Sequence, residues 1–470
     1  MNSNLVKSGL LSATILLPWW MYNGSTSPIF TLTVCLLVMI LAEIHGSKIG
    51  ISDRSGMMGF LVVVALASTW QWIYPYAKGN YVSDIFRGVY EKGLGPLYGK
   101  PLETLEFFEW KNLWFFVLIL PVTQRKRLNN PWVFGVISTI ILIGVSAQDG
   151  VHRISHWTSH IETFSEGLPL FTNGVNWNEY IDNMGTLGVH NDHYPPLPLS
   201  LLSVGSPLYT NLLLMTCALG ASFAIKRQLG SMLGLGLPLL WLYTPFTWVP
   251  LYLLVGFLMV NLSRNLQKNT NLILLSLLWV FLSFLTYGTV LGLAIFSTTL
   301  LFLNGVKSTI RPLVIMVSAV ILGVTLVSWL TGFNYVLGLQ KAIKLNNELL
   351  DHPDYWASLT LGTFRSFGNL LAFAIILGPY TWGWLIKTSA LHKKWIAIVF
   401  LILSFSGLFY METERVWALY TPFLFLLPRE VTISDNNTTK TGGPLYLWVA
   451  HWGYMAILLA RVDLSFGAFY

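Results

Sequence analysis

Apolar runs follow one another so closely along this chain that little room is left between them for anything else. They occupy 9–22, 28–44, 57–74, 107–123, 131–148, 207–225, 231–262, 271–304, 312–331, 368–386, 395–410, 416–428 and 444–461. A helix needs about 20 residues to cross the hydrocarbon layer of a bilayer. The runs 231–262 and 271–304 are too long for one crossing, so each reads as a hairpin, broken near Pro245–Pro250 and near Gly288. The expected fold is an all-α, polytopic transmembrane helical bundle of about 13–15 spans, forming a single domain over residues 1–470.

Composition agrees with lipid as the solvent. Only 10% of residues are charged, against about 25% in soluble domains. A net charge of +7 would fit nucleic acid, but the basic residues sit in short clusters between apolar runs, as membrane topology requires, and a nucleic-acid partner is excluded. Cys35 and Cys217, the only cysteines, both lie inside apolar runs and read as small buried side chains. The apolar stretch after Lys7 has no small-residue cleavage site behind it and reads as a retained first helix.

The basic clusters set the orientation. They are Lys48/Arg54, Arg125/Lys126/Arg127, Lys226/Arg227, Arg264/Lys268, Lys307/Arg311, Lys387/Lys393/Lys394 and Arg429/Lys440. With about 15 spans and a cytoplasmic N-terminus, all of them fall on the cytoplasmic side of what is expected to be the plasma membrane. The loops 75–106, 149–206, 332–367 and 411–415 then face outward. Asp149, Glu162, Glu166, Glu179, Asp182 and Asp192 give the second of these an acidic balance against Arg153.

Candidate chemistry gathers in those outer loops. If residues 149–160 are helical, Asp149, His152, His156 and His160 share one face. Such a face can hold a divalent metal, although the preferred reading is an amphipathic helix lying at the interface. Asp149 stands apart from the three His, because it sits where a span meets the outer surface. At the end of the same loop His190, Asp192 and His193 precede Tyr194, Pro195 and Pro196, either as a rigid turn or as backbone lining a cavity. Glu412, Glu414 and Arg415 lie between two apolar runs with almost no loop to keep them in water. Ionisable groups so placed read as functional, and the Arg415 fork suits a phosphate. In the loop 332–367, Lys341, Lys344 and Arg365 are further cations for an anionic headgroup, or part of an interfacial helix. No motif calls for a bound cofactor, and no phosphate-cradling, zinc-protease or serine-hydrolase motif is present.

Several of these segments stand together in a known order. His190, His193, Pro195 and Pro196 follow a large outer loop, and Leu285, Tyr287 and Gly288 form a hairpin turn. Tyr355 and Trp356 precede Asn369, Leu370, Gly378 and Pro379, and Glu412, Arg415 and Trp417 stand ahead of a late span. In this the chain resembles the GT-C superfamily of polytopic membrane glycosyltransferases, particularly its actinobacterial-type members, over roughly residues 130–465. Tyr194 interrupts the His-Pro-Pro pattern, and Met411 stands where the family has Gly.

The resemblance implies sugar transfer from a polyprenyl-phosphate donor to a glycan, lipid or protein acceptor on the non-cytoplasmic face. The loops 149–206 and 332–367 would form the active face. Asp149 would be the base, with Asp192 or Asp84 as alternatives. His190, His193, Glu412, Glu414, Arg415 and Arg365 would bind the donor phosphate and substrate. The competing class is a polytopic transporter or lipid flippase, which would want broken helices and ionisable groups at mid-membrane depth.

Overall fold

In the computed structural model the described residues are 100–101, 176–187, 191–204, 207–229, 248–349, 390–405, 417–426 and 462–463, with scattered positions in 130–140 and 369–377. Among them the secondary structure is helical apart from one two-residue antiparallel pairing, β1 (Lys100–Pro101) with β2 (Val462–Asp463). The expected spans at 9–22, 28–44, 57–74, 107–123 and 444–461 lie outside the described residues.

Two short helices, α1 (Tyr180–Asn183) and α2 (Leu197–Ser203), precede α3 (Pro207–Leu229). Four helices then run almost without interruption: α4 (Val249–Ser263), α5 (Asn269–Leu285), α6 (Thr289–Asn304) and α7 (Val306–Thr331). After them come α8 (Tyr335–Leu349) and α9 (Ala390–Phe405). Pro250 stands in the first turn of α4, where its missing N–H would have had no helical partner anyway. The run 271–304 breaks where its Tyr-Gly pair stands. Thr286 is extended, and the Thr289 hydroxyl lies within bonding distance of the carbonyls of Leu282 (2.8 Å) and Thr286 (2.7 Å), turning the chain into α6.

α7 carries Pro312 inside it, so the Ser308 carbonyl loses its usual helical donor. The Gln267 amide supplies one at 3.2 Å and thereby ties the α4–α5 turn to the first turns of α7. The helix ends at Gly332, which adopts φ 73°, the left-handed conformation that stops a helix. α7 is long and apolar enough to cross a membrane, and only 17% of its most apolar stretch is buried. Ile310, Val314, Ile321, Leu322, Trp329 and Leu330 lie exposed along it. α5 and α9 also carry exposed apolar residues, among them Ile273, Leu274, Leu277, Leu401 and Ile402.

The apolar run 416–428 is expected to cross the membrane as a helix; its described part does something else. Trp417–Leu419 and Thr421–Phe425 are two 3₁₀ turns, and every residue from Trp417 to Leu426 is buried. The segment is wedged among the helices. Phe425 meets Phe257 of α4 (5.6 Å between ring centres), while Phe423 meets Trp279 of α5 (6.0 Å) and Phe296 of α6 (5.3 Å). Pro422 lies against Gly256 of α4. Backbone that is not α-helical is tolerated away from water where protein surrounds it, and these contacts supply that surround.

Candidate functional site

Four parts of the chain meet at the end of the helical body that carries the α5–α6 turn: residues 176–187 with 191–204, Thr286–Gly288, the first turns of α8, and Tyr420. Tyr180 is fully buried, and its phenol reaches the carbonyls of Asn191 (2.8 Å) and Tyr194 (3.1 Å), gripping the chain on both sides of His193. Asp192 Oδ1 accepts from the Gly185 amide (2.6 Å) and, at longer range, from the Leu187 amide (3.4 Å). Asn191 donates to the Leu187 carbonyl (2.6 Å) and completes the closure. Pro196 and Pro198 then start α2. In this turn one oxygen of Asp192, Oδ1, closes the loop.

α8 lies across this turn. The Lys341 ammonium donates to the Ile181 carbonyl (2.6 Å), fastening α8 to α1, so this cation is committed to protein. Lys344 is exposed on the same helix. The half-buried His193 imidazole lies beside the Ala342 backbone. Burial pushes its pKa below the ordinary 6.5, against the weaker upward pull of Asp192 and of that backbone. The ring is consequently neutral near pH 7, and its buried Nδ1 has no hydrogen-bond partner among the described residues. A neutral imidazole of this kind can accept a proton or a hydrogen bond.

An aromatic wall backs the turn. Trp177, Phe284, Phe333 and Tyr335 pack through edge and tilted contacts, with ring centres 5.6 Å apart for Trp177–Phe284 and 5.8 Å for Phe284–Tyr335. Tyr287 faces Tyr335 at 5.5 Å, and its hydroxyl lies beside Gly338 of α8. A Cβ at Gly338 would stand 2.5 Å from that hydroxyl, so α8 approaches the α5–α6 turn this closely only with glycine there. Burial raises the phenol pKa of both Tyr287 and Tyr335, keeping them protonated. The Tyr420 hydroxyl donates to the Gly288 carbonyl (3.0 Å) and hangs the buried 417–426 segment from the same turn.

Of the residues singled out in the sequence, Asp192 and His193 stand at this meeting point. Asp149, His152, His156, His160, His190, Arg365, Glu412, Glu414 and Arg415 lie outside the described residues, as does Asp84. Among the described residues no group of three or more His, Cys, Asp or Glu is placed to hold a metal ion. Sequence reasoning misses Tyr180 and Gly338. A Tyr in an acidic loop and a Gly within an amphipathic helix carry no local sign of partners so distant in the chain.

Comparison with known proteins gives no match to a family model, to a curated protein or to a solved structure.

Proposed function

We propose that this chain is a multi-pass membrane glycosyltransferase of the GT-C type. It moves a sugar from a polyprenyl-phosphate donor to a glycan, lipid or protein acceptor on the non-cytoplasmic face of the plasma membrane. The observation that carries the reading is the meeting of the two long loops. The end of 149–206 and the start of 332–367 touch through Lys341–Ile181 and His193–Ala342, beside a turn that holds a neutral imidazole. The exposed cations Arg264, Lys268, Lys307 and Arg311 sit at the opposite end of α4–α7, the asymmetry expected if this meeting point faces outward. Exposed apolar residues on α5, α7 and α9 support a lipid surround.

The chemistry needs few parts. A lipid-phosphate donor arrives within the membrane, so its site opens sideways between helices and requires no soluble domain. A carboxylate takes the acceptor proton as the glycosidic bond forms, the role given to Asp149 with Asp192 as the alternative. A cation steadies the departing phosphate, and Arg415 is assigned that role, flanked by Glu412 and Glu414, with Arg365 as a second contact. His190 and His193 are assigned to substrate. The test is transfer from a synthetic polyprenyl-phosphate sugar by purified protein, alongside mass spectrometry of lipid-linked sugars and surface glycans with and without the gene. Unchanged glycans together with no transfer would refute the reading.

A transporter or lipid flippase is the second reading, and one observation favours it. The buried 3₁₀ turns between Trp417 and Phe425 are interrupted backbone in the middle of a bundle, as in carriers that build their sites from broken helices. Movement of a labelled lipid or solute across proteoliposomes, without any bond being made, would select it.

A further inference from the structure

Between Asp192 and Glu348 the chain contains no carboxylate, yet it carries Lys226, Arg227, Arg264, Lys268, Lys307, Arg311, Lys341 and Lys344. Four of these cations are brought together at one end of the helical body. Arg264 and Lys268 bracket the α4–α5 turn, Lys307 and Arg311 lie one turn apart at the start of α7, and all four are exposed. The Gln267–Ser308 bond holds the two turns in register. Between them is a shallow cleft of about 20 Å³, lined by Arg264, Gln267, Asn304, Ser308 and Thr309 among others. That volume admits an oxygen or two of a larger anion whose body stays at the rim. A fifth exposed cation, Lys394, lies near the start of α9, whose Trp395 stacks on Phe302 (4.6 Å) and bonds Thr299 (2.7 Å) on α6. α4, α5, α6 and α7 themselves carry no acidic side chain.

A second observation decides which anion fits. Val306, Ile310 and Val314 recur every fourth residue along α7, all exposed, in a stripe that begins beside Lys307 and Arg311 and leads away from them. Charge at the rim and an apolar track running from it match an amphiphile, and a free phosphate would leave the track unused.

We propose that this end of α4–α7 is a saturable binding site for an anionic phospholipid. Its phosphate lies among Arg264, Lys268, Lys307 and Arg311, and its acyl chains follow the Val306–Ile310–Val314 stripe. The site is independent of the transferase reading, whose described residues, Asp192 and His193, lie at the other end of the body.

The experiment uses the full chain purified in a neutral detergent. Native mass spectrometry counts bound lipid as phosphatidylglycerol, phosphatidylcholine or inorganic phosphate is added, and thermal midpoints are read in parallel. Phosphatidylglycerol is expected to bind saturably and raise the midpoint, with phosphatidylcholine and phosphate doing neither. Each cation near a membrane surface contributes about 1 kcal/mol toward anionic lipid, so Lys307→Gln weakens binding about fivefold. Arg264→Gln, Lys268→Gln, Lys307→Gln and Arg311→Gln together weaken it at least about 100-fold. Lys268, Lys307 and Arg311 are exposed, so the lipid-free midpoint should stay nearly unchanged in their single variants; Lys344→Gln at the opposite end is the charge-matched control. Equal binding of phosphatidylcholine, stabilisation by phosphate alone, or full phosphatidylglycerol binding by the quadruple variant each overturn the proposal.

Discussion

Gly256→Ala tests the wedging of residues 417–426 into the helical body. Built on α4, the new Cβ would stand 2.5 Å from Pro422 Cγ, 3.0 Å from its Cβ and 3.4 Å from its Cδ. Carbon atoms pack comfortably at about 3.5–4.0 Å, so the closest contact is short by roughly 1 Å. A proline ring has no rotamer to escape into, and both partners are buried. Overpacking of this kind costs about 1–3 kcal/mol. Replacing Gly by Ala within a helix returns about 1 kcal/mol, leaving a net loss of about 0–2 kcal/mol. Pro422→Ala removes the ring and with it the clash, so Gly256→Ala in that background should be neutral or slightly stabilising. The four proteins of this double-mutant cycle would be compared by thermal unfolding in one detergent, with a coupling of about 1–3 kcal/mol expected. Additive effects, or a Gly256→Ala variant more stable than the parent, would mean that Pro422 does not pack on α4 and that the 417–426 segment lies elsewhere.

Other predictions address the opposite claims of packing and chemistry. Gly338→Ala should destabilise by about 1 kcal/mol through the Tyr287 hydroxyl, and Tyr287→Phe should relieve part of that loss in a second unfolding cycle; the Phe333 ring, 2.9 Å from the same Cβ, keeps the relief incomplete. Because His193 is held neutral by burial, the unfolded chain binds the extra proton first, and its contribution to stability is lost as pH falls below 6.5. Thermal midpoints should therefore fall less steeply in His193→Gln as the buffer is taken from about one unit above that value to about one unit below it. Single cysteines at Thr186 and Lys344, in a cysteine-free background, should label with an impermeant reagent in intact cells, whereas those at Gln267 and Ser308 should label only after permeabilisation; one labelling pattern for all four would refute the orientation. Asp149→Asn should lower transfer about 10²–10⁴-fold with donor binding kept, whereas Arg415→Lys should weaken donor binding as well.

How far the sequence can be read depends on whether a signal is local. The break at Thr286–Gly288 is legible because Tyr-Gly interrupts an apolar run too long for one crossing. Residues 417–426 are not, since an apolar stretch looks the same whether lipid or protein covers it. Pro422 is the one hint that this stretch is not an ordinary spanning helix. At the candidate site the sequence points to Asp192 and His193 through their place before paired prolines. It cannot reveal that Asp192 closes a loop on Gly185, or that Lys341 is tied to Ile181, since such partners are set by how α1 and α8 pack.

The wedge also has a bearing on the order in which the molecule can be finished. Tyr420 bonds Gly288 across 132 residues of chain, and Pro422 and Phe423 occupy the space between α4, α5 and α6. During synthesis those three helices emerge long before the residues that fill their centre. Until then Gly256 and Trp279 face a gap that must hold lipid, water or a chaperone. The body is thus a keystone construction: α4, α5 and α6 are held in waiting for a late segment, and a chain interrupted before Trp417 would leave them open to proteolysis.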